Sequence, residues 1–286
     1  MEIINYESKN FRKLKKYKLH KKIDNSESFL YVKNNSDTKK ELIKIFILND
    51  GSYFENKKST LEKLYNLKGK AIPDQIVLPN NFISINGKIS GYSQDLIENN
   101  INLQIILDNP LIPISTKIDL LYKVAILLEK IEKNPLLREH NFYLGDIHSG
   151  NFIYDKNSQN IKAIDVDSST IDANKPGTAK YLCNSINLGN KYSNNKRNYN
   201  STILCYYYML LSFLANTNIS NQPKGFYLRY LKFLKQCGIN EELCYYLSLI
   251  YTDSDNILKP DLIKTLDDQT LKKVQKKSFY SSFKTF

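Results

Sequence analysis

The chain is poor in the features that tie a protein to a membrane, a metal or a covalent framework. Four of its 286 residues are cysteine (Cys183, Cys205, Cys237 and Cys244), none in CxxC spacing and none with a histidine close in sequence. That pattern excludes the common zinc sites and leaves free thiols in a reducing compartment as the expectation. No apolar h-region opens the sequence. Its longest nearly apolar stretch, residues 203–215, is well short of the roughly 20 residues that cross a bilayer. A soluble, cytoplasmic protein is expected. There is no internal repeat, and a composition of 42% hydrophobic and 12% aromatic residues is not that of a disordered chain.

What the chain has in excess is positive charge. Lys and Arg number 41 against 29 Asp and Glu, a net charge of +12. The charge clusters at Arg12, Lys13, Lys15, Lys16 and Lys18, and again at Lys272, Lys273, Lys276 and Lys277. Such patches attract polyanions through long-range, salt-screened forces, so weak polyanion binding through the termini is one expectation. The other is a plain solvated surface, since Lys, Asn and Ile are used heavily throughout, as AT-rich coding produces.

With 286 residues there is material for two lobes and a sizeable core. Residues 1–18 read as a basic, loose or surface-docked lead-in. Strand-like runs follow at residues 19–23 and 29–32, separated by the polar turn 24–28. Next comes ELIKIFIL (41–48), an apolar run of strand length with one lysine, Lys44, inside it. A lysine there needs an anionic partner or a route to water. It either faces solvent on an edge strand or is held by a carboxylate and donates to phosphate oxygens. Ser59-Thr60-Leu61-Glu62 has capping-box spacing and reads as a helix start. Glu62 is the first candidate partner for Lys44 and Glu55 the second, although Glu62 would equally cap its own helix.

Strands are expected again at 76–78, 82–85 and 88–92, with Asn86-Gly87 as a hairpin turn because both residues tolerate positive φ. Residues 94–100 read as an extended connector. Helices are then expected at 101–107, 116–131, 201–214, 226–236, 241–251 and 260–266, and a disordered basic tail from Lys272. Between the helices lies YLGDIHSGNFIYDKNSQNIKAIDVDS (143–168), in which two apolar runs, 151–154 and 161–164, flank a polar turn. Asp146, Asn151, Asp165 and Asp167 stand at the rim of that hairpin. Acid, amide and acid are oxygen donors, the set that hard cations prefer and that aligns a hydroxyl for phosphoryl transfer. A β-rich first third and a helical remainder, with acids at the junction, predict a bilobal α+β protein with its cleft near residues 95–100.

In order and spacing these pieces resemble the protein-kinase-like superfamily over residues 19 to about 170. Lys44 stands where that family has its strand lysine and Glu62 where it has the αC glutamate. GDIHSGN (145–151) matches the catalytic-loop pattern D-x-x-x-x-N, and Ile164-Asp165-Val166-Asp167 lies where the metal-binding DFG stands. Asp95, Leu96 and Ile97 fall at the adenine-binding hinge. The resemblance implies an N-lobe over residues 1–98, a helical C-lobe over 99–286, and a phosphotransferase that uses ATP and Mg²⁺. Lys44 would contact the α/β-phosphates and pair with Glu62. Asp146 would take or orient the proton of the attacking hydroxyl, with His148 helping with phosphate charge or serving only as a loop hydrogen-bonder. Asn151 and Asp165 would hold the metal, with Asp167 as helper.

The sequence also departs from the family. The loop at 24–28 has no glycine, so Asn25 and Ser26 would have to offer the N–H groups that cradle phosphate. Leu144 replaces the usual histidine, and Val166-Asp167 replaces Phe-Gly. Thr202 stands where an αF aspartate anchors the catalytic loop, so that anchor is expected to be lost. Pro176-Gly177-Thr178-Ala179-Lys180-Tyr181 resembles the end of a protein-kinase activation segment, which favours a protein Ser/Thr acceptor over a small molecule. A pseudokinase scaffold is the contrasting expectation.

Overall fold

Burial alternates along residues 40–46, and that alternation shows how the first third of the chain is built. Glu41, Ile43 and Ile45 point to one face of a sheet and Leu42, Lys44 and Phe46 to the other, as the two-residue period of a strand requires. The structure, a computed structural model, describes residues 1–16, 28–34, 40–172, 199–216, 224–251 and 257–276. The expected strand at 19–23 lies outside them. Six strands form the first sheet: β1 (Ile3–Tyr6), β2 (Lys15–Lys16), β3 (Ser28–Asn34), β4 (Lys40–Phe46), β5 (Pro79–Ile85) and β6 (Lys88–Asp95). Their spatial order is β1-β5-β6-β4-β3-β2, with β1 parallel to β5 and the other pairs antiparallel.

Each face of this sheet has its own cover. On one, Ile43, Ile45 and Ile83 pack against Phe11 of the short helix α1 (Ser8–Phe11) and against Ile4 and Tyr6. The opening residues are therefore not a loose lead-in. Their apolar side chains keep water from a face that would otherwise be exposed. On the other face, Phe46, Phe82 and Tyr92 pack beneath Phe54 and Leu61 of α2 (Gly51–Tyr65). This helix begins well upstream of the Ser59–Glu62 box, which lies in its interior. The stripe Phe54, Lys57, Leu61, Leu64 continues the helical period backwards past the box. Asn86 and Gly87 do turn the β5–β6 hairpin, at φ 50° and 80°. β6 runs on through Gln94 and Asp95, so the connector starts at Leu96. Of the strand expected at 76–78 there is a single bridge, Ile76 to Ala163.

The remainder is mainly helical. β7 (Asn100–Asn102) and α3 (Leu103–Asp108) replace the expected helix at 101–107. Then come α4 (Ile114–Lys133), α5 (Pro135–Glu139), β8 (Phe152–Asp155), β9 (Asn160–Ala163), α6 (Tyr199–Ala215), α7 (Lys224–Cys237), α8 (Glu241–Ser248), α9 (Pro260–Ile263) and α10 (Asp268–Lys276). β7, β8 and β9 form a small antiparallel sheet. α6 is buried on all sides from Ser201 to Leu211, the mark of a core helix. Tyr206 on it donates its hydroxyl to the Leu121 carbonyl of α4 at 2.9 Å. Leu271 and Val274 are buried in the same core. The chain is therefore helical past Lys272, where a disordered tail was expected, because two apolar residues one turn apart dock α10. The architecture is a bilobal α+β fold, a sheet with α2 followed by a helical body. Among the described residues no helix is long and apolar enough to cross a membrane.

Candidate active site

Lys44 leaves β4 on the face that α2 covers. Its Nζ donates to Asp165 and, at 2.8 Å, to Oδ1 of Asp167. The second oxygen of Asp167 accepts from Lys57 Nζ of α2 at 2.5 Å, and the Tyr92 hydroxyl lies 3.2 Å from Oδ1. Asp165 itself sits at φ 63°, ψ 41°, a left-handed conformation that Asp tolerates better than most residues. It turns the chain sharply after β9 into the short 3₁₀ turn Val166–Ser168, against which α2 packs.

Two cations and two anions thus share one pocket. Burial alone would push the Asp167 carboxyl up, but Lys44 and Lys57 outweigh it and hold the group well below the usual carboxylate range. Burial would likewise lower both lysines, and the aspartates outweigh it and raise them. Asp165 goes the other way. Burial and the neighbouring Asp167 charge push its carboxyl up against the pull of Lys44. Water reaches 38% of that side chain, which softens the burial effect and leaves the upward direction.

The loop that carries Asp146 is held from several sides. Asn151 Nδ2 donates to the Asp146 carbonyl at 2.9 Å and lies 3.5 Å from its carboxylate. His148 Nδ1 accepts from the Gly150 N–H at 3.0 Å, which assigns the ring proton to Nε2, the nitrogen 3.4 Å from Asp146 Oδ2. Asn102, which caps α3 through Gln104 N, donates to the Gly150 carbonyl at 2.8 Å. Thr202 Oγ1 of α6 donates to the Leu144 carbonyl at 2.9 Å. The expected loss of the α6 anchor is therefore corrected: a neutral hydroxyl does the pinning. The two loops are joined by Ile164 N–H donating to the Asn151 carbonyl at 2.9 Å, and by reciprocal backbone bonds between Tyr143 and Thr170.

The structure does not bring Glu62 to Lys44. Glu62 is exposed on α2, five positions from Lys57 and so roughly 140° round the helix from the inward stripe. Glu55 is also exposed and lies 3.7 Å from Lys58. Asp167, expected to help with metal, has both oxygens engaged by ammonium groups. At the hinge, the Leu96 N–H donates to the Lys40 carbonyl at 3.0 Å, Asp95 accepts from Asn80 Nδ2 at 2.8 Å, and Asn100 donates to the Ile97 carbonyl. Asn25, Ser26 and residues 176–181 lie outside the described residues. Among those described, no group of three or more His, Cys, Asp or Glu converges as a metal site. Sequence reasoning missed Lys57. Its spacing to Leu61 and Leu64 was a readable sign that a lysine shares the helix's apolar face.

No family model matches the chain, and no curated protein does. Among solved structures the chain is similar to that titled the structure of the Cydia pomonella granulovirus kinase PK-1. The TM-score is 0.54, with 13% identity over 90% of this chain and 93% of that one. A likeness at that identity is one of fold, and the fold is protein-kinase-like.

Proposed function

We propose that the chain is an ATP- and Mg²⁺-dependent phosphotransferase, protein Ser/Thr kinase-like, that transfers the γ-phosphate of ATP to a hydroxyl. The observation that carries this reading is the ion pair between strand residue Lys44 and Asp165, next to a loop in which Asn151 holds Asp146. The donor set fits the metal. Asn151 spends its amide nitrogen on the Asp146 carbonyl, which leaves its oxygen as the atom for a hard cation, and Asp165 supplies a carboxylate. Bound Mg²⁺ would neutralise charge on the β- and γ-phosphates.

The other parts belong to the chain itself. Lys44 donates to phosphate oxygens while a carboxylate keeps it oriented. Asp146, placed by Asn151 and facing the N–H of His148, takes or orients the hydroxyl proton. Backbone groups of Asp95 and Ile97 bind adenine at the cleft. This is catalysis by positioning and charge, as a loose phosphoryl transition state requires. A protein acceptor is favoured by the sequence at 176–181 and by the run of helices α6–α10, which among the described residues carries no large acceptor-building insertion. The GDIHSGN loop leans towards a small-molecule hydroxyl. Radiolabelled ATP is expected to label the protein itself or a basic or acidic test protein, and Asp146→Ala to abolish the labelling. Equal labelling by wild type and variant would sink the reading.

A second reading is a scaffold that binds nucleotide or partners without turnover. The observation in its favour is that Lys44 is committed to two carboxylates while α2 presents no inward glutamate. No thermal shift with ATP and Mg²⁺, together with no labelling, would favour the scaffold.

A further inference from the structure

The inward face of α2 meets the site with a cation. Of its buried residues Phe54, Lys57, Thr60, Leu61 and Leu64, Lys57 alone is charged, and the carboxylates of this helix point away. Lys57 keeps 4% of its side chain exposed and Asp167 none. Buried charges of this kind persist only when paired, so each of the two depends on the other. The ammonium of Lys57 also lies 5.2 Å from the Phe46 ring centroid and 5.1 Å from that of Tyr53, which adds cation–π attraction in a dry setting.

We infer that Asp167 and Lys57 form a charge-reversed clasp: Asp167 is the counter-ion that orients Lys44, and Lys57 ties that counter-ion to α2. The inference rests on the phosphotransferase reading and deepens it. Lys44 has two carboxylate partners, and they differ. Asp165 is 38% exposed and stands with the metal-binding loop, whereas Asp167 is fully enclosed and has both oxygens spent on ammonium groups. Were a cation to engage Asp165, Lys44 would still have Asp167 as its partner. Its direction towards the phosphates would then be set by an anion whose two oxygens are spent on ammonium groups. Lys57 acts through Asp167, and so is a positioning residue. The arrangement carries the same charge on Lys44 and its partner as a strand lysine held by a helix carboxylate. The polarity between helix and metal loop is inverted.

The test uses the full chain, with ATP binding by calorimetry, phosphotransfer by radiolabel, and melting temperature for every variant. Lys57→Met is expected to weaken ATP·Mg²⁺ binding or raise its KM by about 10–100-fold, the range for a lost supporting contact, and Lys57→Arg to restore most of it. Lys57→Glu alone places a carboxylate beside Asp167 and is expected to be the worst. Lys57→Glu with Asp167→Asn moves the anion onto the helix, where it pairs with Lys44, and is expected to recover both melting temperature and nucleotide affinity. If Lys57→Met lowers stability too far to assay, the comparison of Lys57→Glu with that double variant still decides. Wild-type turnover with an indifferent Lys57→Met, or a double variant no better than Lys57→Glu, overturns the clasp alone. A wild type that neither binds nor turns over ATP overturns the phosphotransferase reading, and with it the role of the clasp towards phosphate.

Discussion

Gly145 occupies the point where the loop that carries Asp146 passes against the turn after Asp165. A Cβ at this position would lie 2.1 Å from the Ser168 carbonyl oxygen and 3.2 Å from its carbon. Both atoms are backbone, so no side chain can swing aside. Gly145→Ala is expected to destabilise the protein by about 1–3 kcal/mol and, on the proposed phosphotransferase reading, to cut phosphotransfer, because the displaced backbone carries Asp146. Urea denaturation beside the labelling assay checks it, and unchanged stability would show that the two loops have room to part. The glycine before Asp146 was visible in the sequence. Its physical reason was not, since Ser168 is brought against it only by the fold. Asp146 and Asn151 were legible for the opposite reason: they are five residues apart and the bond between them is local.

At the scale of elements, the loop depends on helix α6 through one hydroxyl. Thr202 is buried, and its Oγ1 satisfies the Leu144 carbonyl, itself out of water. Thr202→Val removes the donor at nearly constant volume and strands a buried acceptor. It is expected to cost about 1–3 kcal/mol, whereas Thr202→Ser keeps the bond and most of the stability. Equilibrium unfolding of the two variants distinguishes them, and equal losses would point to packing of the methyl group rather than to the bond. Residue type alone suggested a missing anchor at Thr202, whereas its hydroxyl holds the loop. α2 gives the converse case. Its existence was legible from Leu61 and Leu64, yet the capping-box spacing at Ser59–Glu62 drew its start too late. A helix start read late hides Lys57 and promotes Glu62, because the inward stripe is recognised only when Phe54 and Lys57 are counted into it.

For the whole molecule, the two lobes rest on cores of unequal size. One continuous cluster of buried apolar side chains extends from Leu64 to Val274. The first sheet relies on two small ones: Phe46, Phe54, Leu61, Phe82 and Tyr92 on the α2 face, and Phe11, Ile43, Ile45 and Ile83 on the other. Less buried apolar surface means a lower free energy of local opening. Amides of β3 and β4 are therefore expected to exchange with deuterium faster than those of α6, as followed by mass spectrometry on peptides. Equal protection would show that the lobes open as one unit. By itself the sequence determined the strand periods, the Asn86-Gly87 turn, the helical stripes and the D-x-x-x-x-N loop, all of which depend on residues a few positions apart. Only the tertiary structure decided which anion meets Lys44. That choice depends on the rotation of α2 about its axis and on the left-handed turn at Asp165, which together enclose Lys57 and Asp167 too tightly for either charge to stand alone.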